Sequence, residues 1–486
     1  MKKLIICLAL ILTVLLTGCN QTTQIPVGVI PTEKFTIIEY VADSAVYQAE
    51  SNLEISGTAQ TGVVMVASLY DSKNDLVQQV YTDTNKEGVW KLSLTTPSGS
   101  NKNYKLKIAD SNNTFFEVFD EIKFGEVWTV LGDKLDVYTE EENNFNTDYN
   151  KMVYVDSKWL DISKSNNQFV NELLIKMSKK NKNDIPVGVI LVESEDSHIY
   201  QWLSKDAINS RNYVKSFLIE NKLYVENNAN ITENDMTYYD LRYLSKISGM
   251  STKNIIWNQG LADTKYINNT TGDVFNNVYF QMLYTFITSL EYNFNVINNI
   301  YILQAESKNI QNIDKLRDIQ SKISSYFGKC DLIPTYDLNY LEKSLDNDYE
   351  VIVKAIEITS LMDRIINYDT LHIKTPCLEN FVAIYNEENV VVKYVLNFEN
   401  VSSFDKTSQI TGLIFYDENG DEIELSYDIE GNKIIIDLSD AKEEDTVSYV
   451  VLSKITYGIS EIIYDNDLKT EEIPVIPFKI ILNRRG

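Results

Sequence analysis

Apolar positions fall into three regimes along the chain. From Phe35 to Phe124 they alternate with polar ones, as in Leu53-Glu54-Ile55 and Tyr104-Lys105-Leu106-Lys107-Ile108, with Gly and Asn clusters between the runs. A period of two broken by turn residues predicts short strands and a small β-sandwich. In the middle, unbroken apolar runs at Val187 to Val192, Ile255 to Trp257 and Ile300 to Leu303 alternate with helical stretches. The clearest helix sets Phe275, Val278, Tyr279, Met282, Leu283, Phe286, Ile287 and Leu290 on one face at i, i+3, i+4 spacing. Strands alternating with helices predict a parallel α/β sheet flanked by helices. Beyond Cys377 strands return: Val390 to Phe398, then Leu413 to Tyr416 and Ile423 to Leu425 around Asn419-Gly420, then Lys433 to Leu438. Pro474 and Pro477 are expected to bracket the final strand.

The start of the chain changes the picture from fold to address. Lys2 and Lys3 precede an apolar run from Leu4 to Leu16, the length of a signal-peptide core and short for a membrane span. It ends in Leu16-Thr17-Gly18-Cys19, which resembles a lipobox, where the cysteine takes a diacylglyceryl group and becomes the mature N-terminus. The competing reading is an ordinary secretory signal with a chance cysteine. The expected organisation is a signal peptide over 1–18, a lipidated tether over 19–34, a β-sandwich over 35–124, an α/β domain over 125–376 and a C-terminal β domain over 377–486. Lipidation at Cys19 would place the protein outside the cytoplasm, anchored to a bacterial membrane by its N-terminal lipid.

Charge removes one class of partner. The formal charge is −26, and loss of Lys2 and Lys3 with the signal takes it to −28. Such a field repels nucleic acid, so none is expected as a partner. Cys7 leaves with the signal and Cys19 is lipidated, so Cys330 and Cys377 remain. They are either bridged or two buried free thiols, and the thiols are the favoured reading.

At Phe124-Gly125-Glu126-Val127-Trp128 the chain resembles the sialate O-acetylesterase family of SGNH-type carbohydrate esterases, where similar words lead into a GQSNM motif with the catalytic serine. Upstream, Val41 to Gln48 looks like the family's FSDNMVLQ, and Gly88-Val89-Trp90 like its G-K-W. Downstream, Ile185 to Ile190 looks like PVGLI, Trp202-Leu203-Ser204 like the end of WGGTPIEAW, and Ile255 to Gly260 like the start of GVLWYQGESN. Leu316-Arg317-Asp318-Ile319-Gln320 looks like LR-x-x-Q, and Ile473 to Phe478 like LPASPF. Each word is weak alone. Their order over nearly the whole mature chain carries the resemblance, which implies an SGNH-hydrolase-like α/β domain between two β domains.

An ester hydrolase of that kind needs a nucleophilic serine, a histidine to take its proton, and donors for the oxyanion. Here Gly132 stands where the family has glycine, but Asp133, Lys134 and Leu135 stand in place of Gln-Ser-Asn. The nucleophile position is therefore a lysine. The WGGT block reads Ser194, Glu195, Asp196 and Ser197, and QGESN reads Gln259, Gly260, Leu261, Ala262 and Asp263. An ionised Asp263 accepts hydrogen bonds and cannot donate to an oxyanion. The D-x-H-P histidine aligns with Asp348. Only two histidines exist, His198 at the proline position of the second block and His372 past the last helix, and neither matches the general base.

Removing the serine or histidine of a comparable triad costs on the order of 10⁶ in turnover. The expectation is thus a catalytically inactive sialate O-acetylesterase-like surface lipoprotein, without an enzyme's function and with a glycan-binding or structural role. Its pocket candidates are Gly132, Asp133, Lys134, Glu195, Asp196, Gln259, Gly260, Asp263 and Asp348. Lys134 either binds an anion such as a sugar carboxylate or pairs with Asp133, Asp263 or Asp348 and plugs the pocket. Asp133, Asp136, Asp263 and Asp348 offer carboxylates to a hard cation, but scattered acids in so acidic a chain read as solvated surface, so no metal or cofactor is expected. Trp128, Trp202 and Trp257 read as core. The alternatives are an active carbohydrate esterase with a displaced nucleophile, and an adhesin or structural surface protein without a small-molecule site; the expected partners are the membrane and a glycan or sialylated ligand.

Overall fold

The computed structural model describes residues 25–37, 41–133, 151–155, 158–165, 167–194, 197–223, 226–227, 230–231, 251–267, 277–293, 295–296, 298–305, 312–335, 338, 348–371, 374–404, 413–417, 419, 421–438, 449–452, 457–464, 467–474 and 478–481. They form two compact units whose division does not fall at one point of the chain. Residues 54–94 and 103–120, with the described residues before 42, make the first; residues 42–53 and 95–102, with the rest from 121, make the second. The expected signal peptide, Cys19 and all but residues 25–34 of the tether lie outside the described residues.

In the first unit the period of two appears as strands with one buried face, and both neighbours of its strand Val64–Asp71 run antiparallel to it. Strand β1 (Asn52–Thr58) buries Leu53 and Ile55 and exposes the residues between less completely. Strands β2 (Val64–Asp71) and β3 (Leu76–Asp83) pair antiparallel, β4 (Val89–Thr95) alternates with Trp90, Leu92 and Leu94 buried, and β5 (Ser100–Asp110) pairs with the other side of β2. Strand β6 (Phe116–Asp133) pairs with β5, and its residues from Glu121 on belong to the second unit.

In the second unit the unbroken apolar runs become buried parallel strands, since a strand covered on both faces has no polar side to show. The sheet adds β7 (Lys151–Val155), β8 (Lys158–Asp161), β9 (Val187–Ser194), β10 (Asn254–Asn258), β11 (Ile300–Leu303) and β12 (Cys330–Ile333). Their spatial order is β8-β7-β9-β6-β10-β11-β12. All neighbours are parallel except the β7–β8 pair.

Helices α1 (Gln168–Lys180) and α4 (Asp348–Leu371) supply Phe169, Leu173, Leu361 and Ile365 to one core with Trp128, Val130, Val189 and Ile256 of the sheet. Helix α2 (Val278–Asn293) buries the stripe expected of it, apart from Phe275, which lies outside the described residues. Its Phe286 ring sits 4.2 Å from Trp257, and Trp202 meets Trp257 edge-on at 5.1 Å. These tryptophans are core, as the sequence suggested. Helix α3 (Ile313–Ser324) follows β11.

Where the parallel strands begin, a charged cluster closes the sheet. Lys253 bridges Glu126 at 2.9 Å and Asp369 at 3.1 Å, and Lys180 reaches Asp369 at 2.8 Å. Asn254 donates to Asp369 and Trp128 Nε1 donates to Glu126. Burial alone would raise the Asp369 carboxyl, but the two ammonium groups and the Asn254 amide bring it down to about 2.

Beyond residue 376 the chain is again antiparallel, with Cys377–Tyr385, Val391–Glu399, Lys433–Asp437 and Tyr427–Glu430 in one sheet. Two details correct the sequence reading. Pro474 ends the strand Asp467–Pro474 and the last strand is Phe478–Ile481, so the prolines separate two strands; a residue without an N–H is tolerated at a strand end. Cys330 and Cys377 are both free thiols, but only Cys330 is buried, while Cys377 is partly exposed with its Sγ donating to Glu399 at 3.0 Å.

Candidate functional site

The chain leaves β6 towards β7 and β9 on one side, then crosses back to β10 on the other. In open parallel sheets a crevice forms beyond the carboxyl ends of the strands at such a reversal, and ligands bind there. Strand β6 ends in Gly132-Asp133, β10 ends in Asn258 and runs into Gln259-Gly260, and beyond β9 come Ser197 and His198.

Two glycines let these ends approach. Gly132 has φ +118°, and a Cβ there would fall 2.0 Å from the Asn258 carbonyl oxygen. Gly260 has φ +136°, and its Cβ would meet the Tyr279 hydroxyl at 2.7 Å. Only glycine accepts both the dihedral and the contact.

Asp263 is the hub. Its Oδ2 accepts from the Ile199 backbone N–H at 2.7 Å and from Gln259 Nε2 at 2.6 Å, and its Oδ1 lies 3.1 Å from His198 Nδ1. A carboxylate offers acceptors only, so the proton of that pair sits on Nδ1. Gln259 also donates to the Ser197 carbonyl, and the backbone carbonyl of Gln259 accepts from Gln320 Nε2. The imidazole of His198 stacks on Tyr200, with centroids 5.4 Å apart.

Asp133 is a second buried acid beside the first. Its Oδ1 accepts from both the backbone N–H and the hydroxyl of Ser197, each at 2.8 Å. Burial pushes this carboxyl up to about 7; the Ser197 and Gly260 hydrogen bonds oppose the rise, and the Asp263 charge adds to it. The Ser197 hydroxyl also accepts from Trp202 Nε1 at 2.9 Å, and the residue is 1% exposed.

Of the sequence-predicted residues, Gly132, Asp133, Gln259, Gly260 and Asp263 come together. Lys134, Glu195 and Asp196 lie outside the described residues, as do Asp136 and His372. Asp348 opens helix α4, and its side chain is also outside them. Sequence reasoning missed Ser197 and His198 as partners of the two acids. Their one available signal was position, Ser197 closing the block that replaces WGGT and His198 directly following it.

Chemically, the arrangement holds two carboxylates with hydroxyl, amide and imidazole donors. The serine donates to a carboxylate and not to the imidazole. The Asp263–His198 contact has the sense in which an acid orients a histidine base, but no serine hydroxyl bonds that imidazole among the described residues.

Neither a protein-family model nor a curated protein matches the sequence. The structure is similar to a carbohydrate acetylesterase from Xanthomonas citri, at 15% identity and a TM-score of 0.61, covering 92% of this chain and 99% of that one. A protein from Arabidopsis thaliana aligns at 14% identity and a TM-score of 0.30 over 50% of this chain and 99% of its own. A family two carbohydrate esterase from Cellvibrio japonicus aligns at 11% and 0.24 over 70% and 98%. These last two superpose too loosely to bear on the fold. The chain therefore has a carbohydrate esterase-like fold, and at 15% identity the likeness is one of fold alone.

Proposed function

We propose that the chain is a non-catalytic protein on an SGNH-type carbohydrate esterase scaffold, related to the sialate O-acetylesterases and held at the cell surface by a lipid on Cys19. One observation carries this reading. Asp263, at the position aligned with the family's oxyanion-donating asparagine, is a carboxylate held by Ile199 N–H, Gln259 and His198, which fixes negative charge where negative charge would have to develop. Asp133 adds a second acid beside it. With Lys134 in the nucleophile's place, neither half of the hydrolytic reaction has its group. The scaffold then serves to bind glycan or as a structural surface module.

One observation favours a second reading. The Asp263–His198 contact at 3.1 Å would suit an active esterase whose nucleophile has moved. Purified protein assayed on p-nitrophenyl acetate and on O-acetylated sialic acid separates the two. The first reading expects no turnover above that of His198→Ala. Turnover lost in both His198→Ala and Asp263→Asn would establish the second.

A further inference from the structure

The first unit carries a second feature that the sheet-end site does not use. Strands β3, β2, β5 and β6 turn one face to the core through Met65, Ala67, Leu69, Leu106 and Ile108. Their other face turns away from that core, and Gly28 packs against it at Val64. Pairing sets Tyr81 opposite Val66 and Val66 opposite Ala109. The Asp110 N–H to Phe115 carbonyl bond and the Lys105–Asp120 ion pair set Ala109 opposite Phe116 and Lys107 opposite Val118. One row across the face therefore reads Tyr81, Val66, Ala109, Phe116, and the next reads Gln79, Ser68, Lys107, Val118.

Tyr81 is 41% exposed and Phe116 53%, while the floor residues Val66, Ser68 and Ala109 are 4–7% exposed between their taller neighbours. Three strand spacings separate the two rings, about 14 Å. Lys107 Nζ stands 4.8 Å from the centre of the Phe116 ring, which holds that ring in place. Gln79 Nε2 donates to Ser68 Oγ at 2.8 Å, leaving its Oε1 as an acceptor.

We propose that this outward face binds an oligosaccharide, with Tyr81 and Phe116 as stacking platforms at its two ends and Gln79 and Lys107 as hydrogen-bonding partners between them. The alternation of rows decides the class of ligand. A protein-docking patch presents contiguous apolar area with polar groups at its rim. Here an apolar row with aromatic ends lies beside a row bearing an amide, a hydroxyl and an ammonium. Sugars present C–H faces and hydroxyls in the same close alternation. The inference stands whether or not the sheet-end site has any activity.

The test is calorimetric titration of the full chain with xylohexaose, cellohexaose, mannohexaose and sialyllactose. Saturable binding of at least one probe is expected, weakened about tenfold by Tyr81→Ala or Phe116→Ala and lost in the double variant. Lys91→Ala, an exposed change on β4 outside both rows, should bind as the unaltered chain does. Melting curves verify folding, and Tyr81→Gln with Phe116→Ser repeats the experiment should an alanine variant unfold. The proposal is overturned if no probe binds saturably, or if binding survives the double variant. It is also overturned if the face instead drives a concentration-dependent dimer that Phe116→Ala abolishes, which would assign it to a second copy of the chain.

Discussion

The two ends of the parallel sheet solve the same problem, buried acids, in opposite ways. Where the strands begin, Asp369 and Glu126 are met by Lys253 and Lys180, and the Asp369 carboxyl falls to about 2. Where they end, Asp133 and Asp263 are met by a serine, a glutamine, an imidazole and backbone amides, and the Asp133 carboxyl rises to about 7. Cations neutralise the first cluster and make it a clasp between α1, α4 and the sheet. Among the described residues no ammonium meets the second, and burial leaves Asp133 costly to ionise at neutral pH. Perturbed acids of that kind collect at the end of the sheet where chemistry or binding occurs, so the second cluster is the candidate site and the first is framework.

The largest expected effect breaks the clasp. Lys253→Met leaves Asp369 and Glu126 buried with one ammonium fewer and should destabilise the fold by about 3 kcal/mol in denaturant titration. At the other end backbone geometry is as strict as charge. Gly132→Ala puts a methyl against the Asn258 carbonyl at a dihedral alanine resists, and should cost about 2 kcal/mol by the same measurement.

The sharpest contrast is in pH. A carboxyl whose folded value is raised contributes stability that is present below the unfolded value of 3.8 and is lost as pH rises through about 7; Asp133 is of this kind. Asp369 is depressed, so its contribution is present above 3.8 and is lost as pH falls through about 2. Asp133→Asn should therefore stabilise the chain by about 1–3 kcal/mol at pH 8 and by nothing at pH 3. Equal effects at both pH values would show that the two ends do not differ as described.

How much of this was legible beforehand follows from range along the chain. The runs at Val187, Ile255 and Ile300 announced buried strands because a strand covered on both faces is apolar throughout. The α2 stripe is periodic and local, and it too was readable. Gly132, Asp133, Gln259, Gly260 and Asp263 came from ordered words resembling a family. His198 stands at the family's proline position and so does not match the general base, and its partner Asp263 lies 65 residues on, so nothing local announces the contact. The clasp was invisible for the same reason: Lys180 and Asp369 are 189 residues apart, and Glu126 read only as a letter in a motif. Pairings between distant charges belong to the fold, and only the fold displays them.

The proposed function requires that the sheet's carboxyl end holds no attacking group. Intact-mass analysis after incubation with an activated fluorophosphonate, followed by peptide mapping, tests it most directly. The account predicts no adduct on any serine of residues 125–376. A single stoichiometric adduct on a serine there, prevented by His198→Ala, would contradict it.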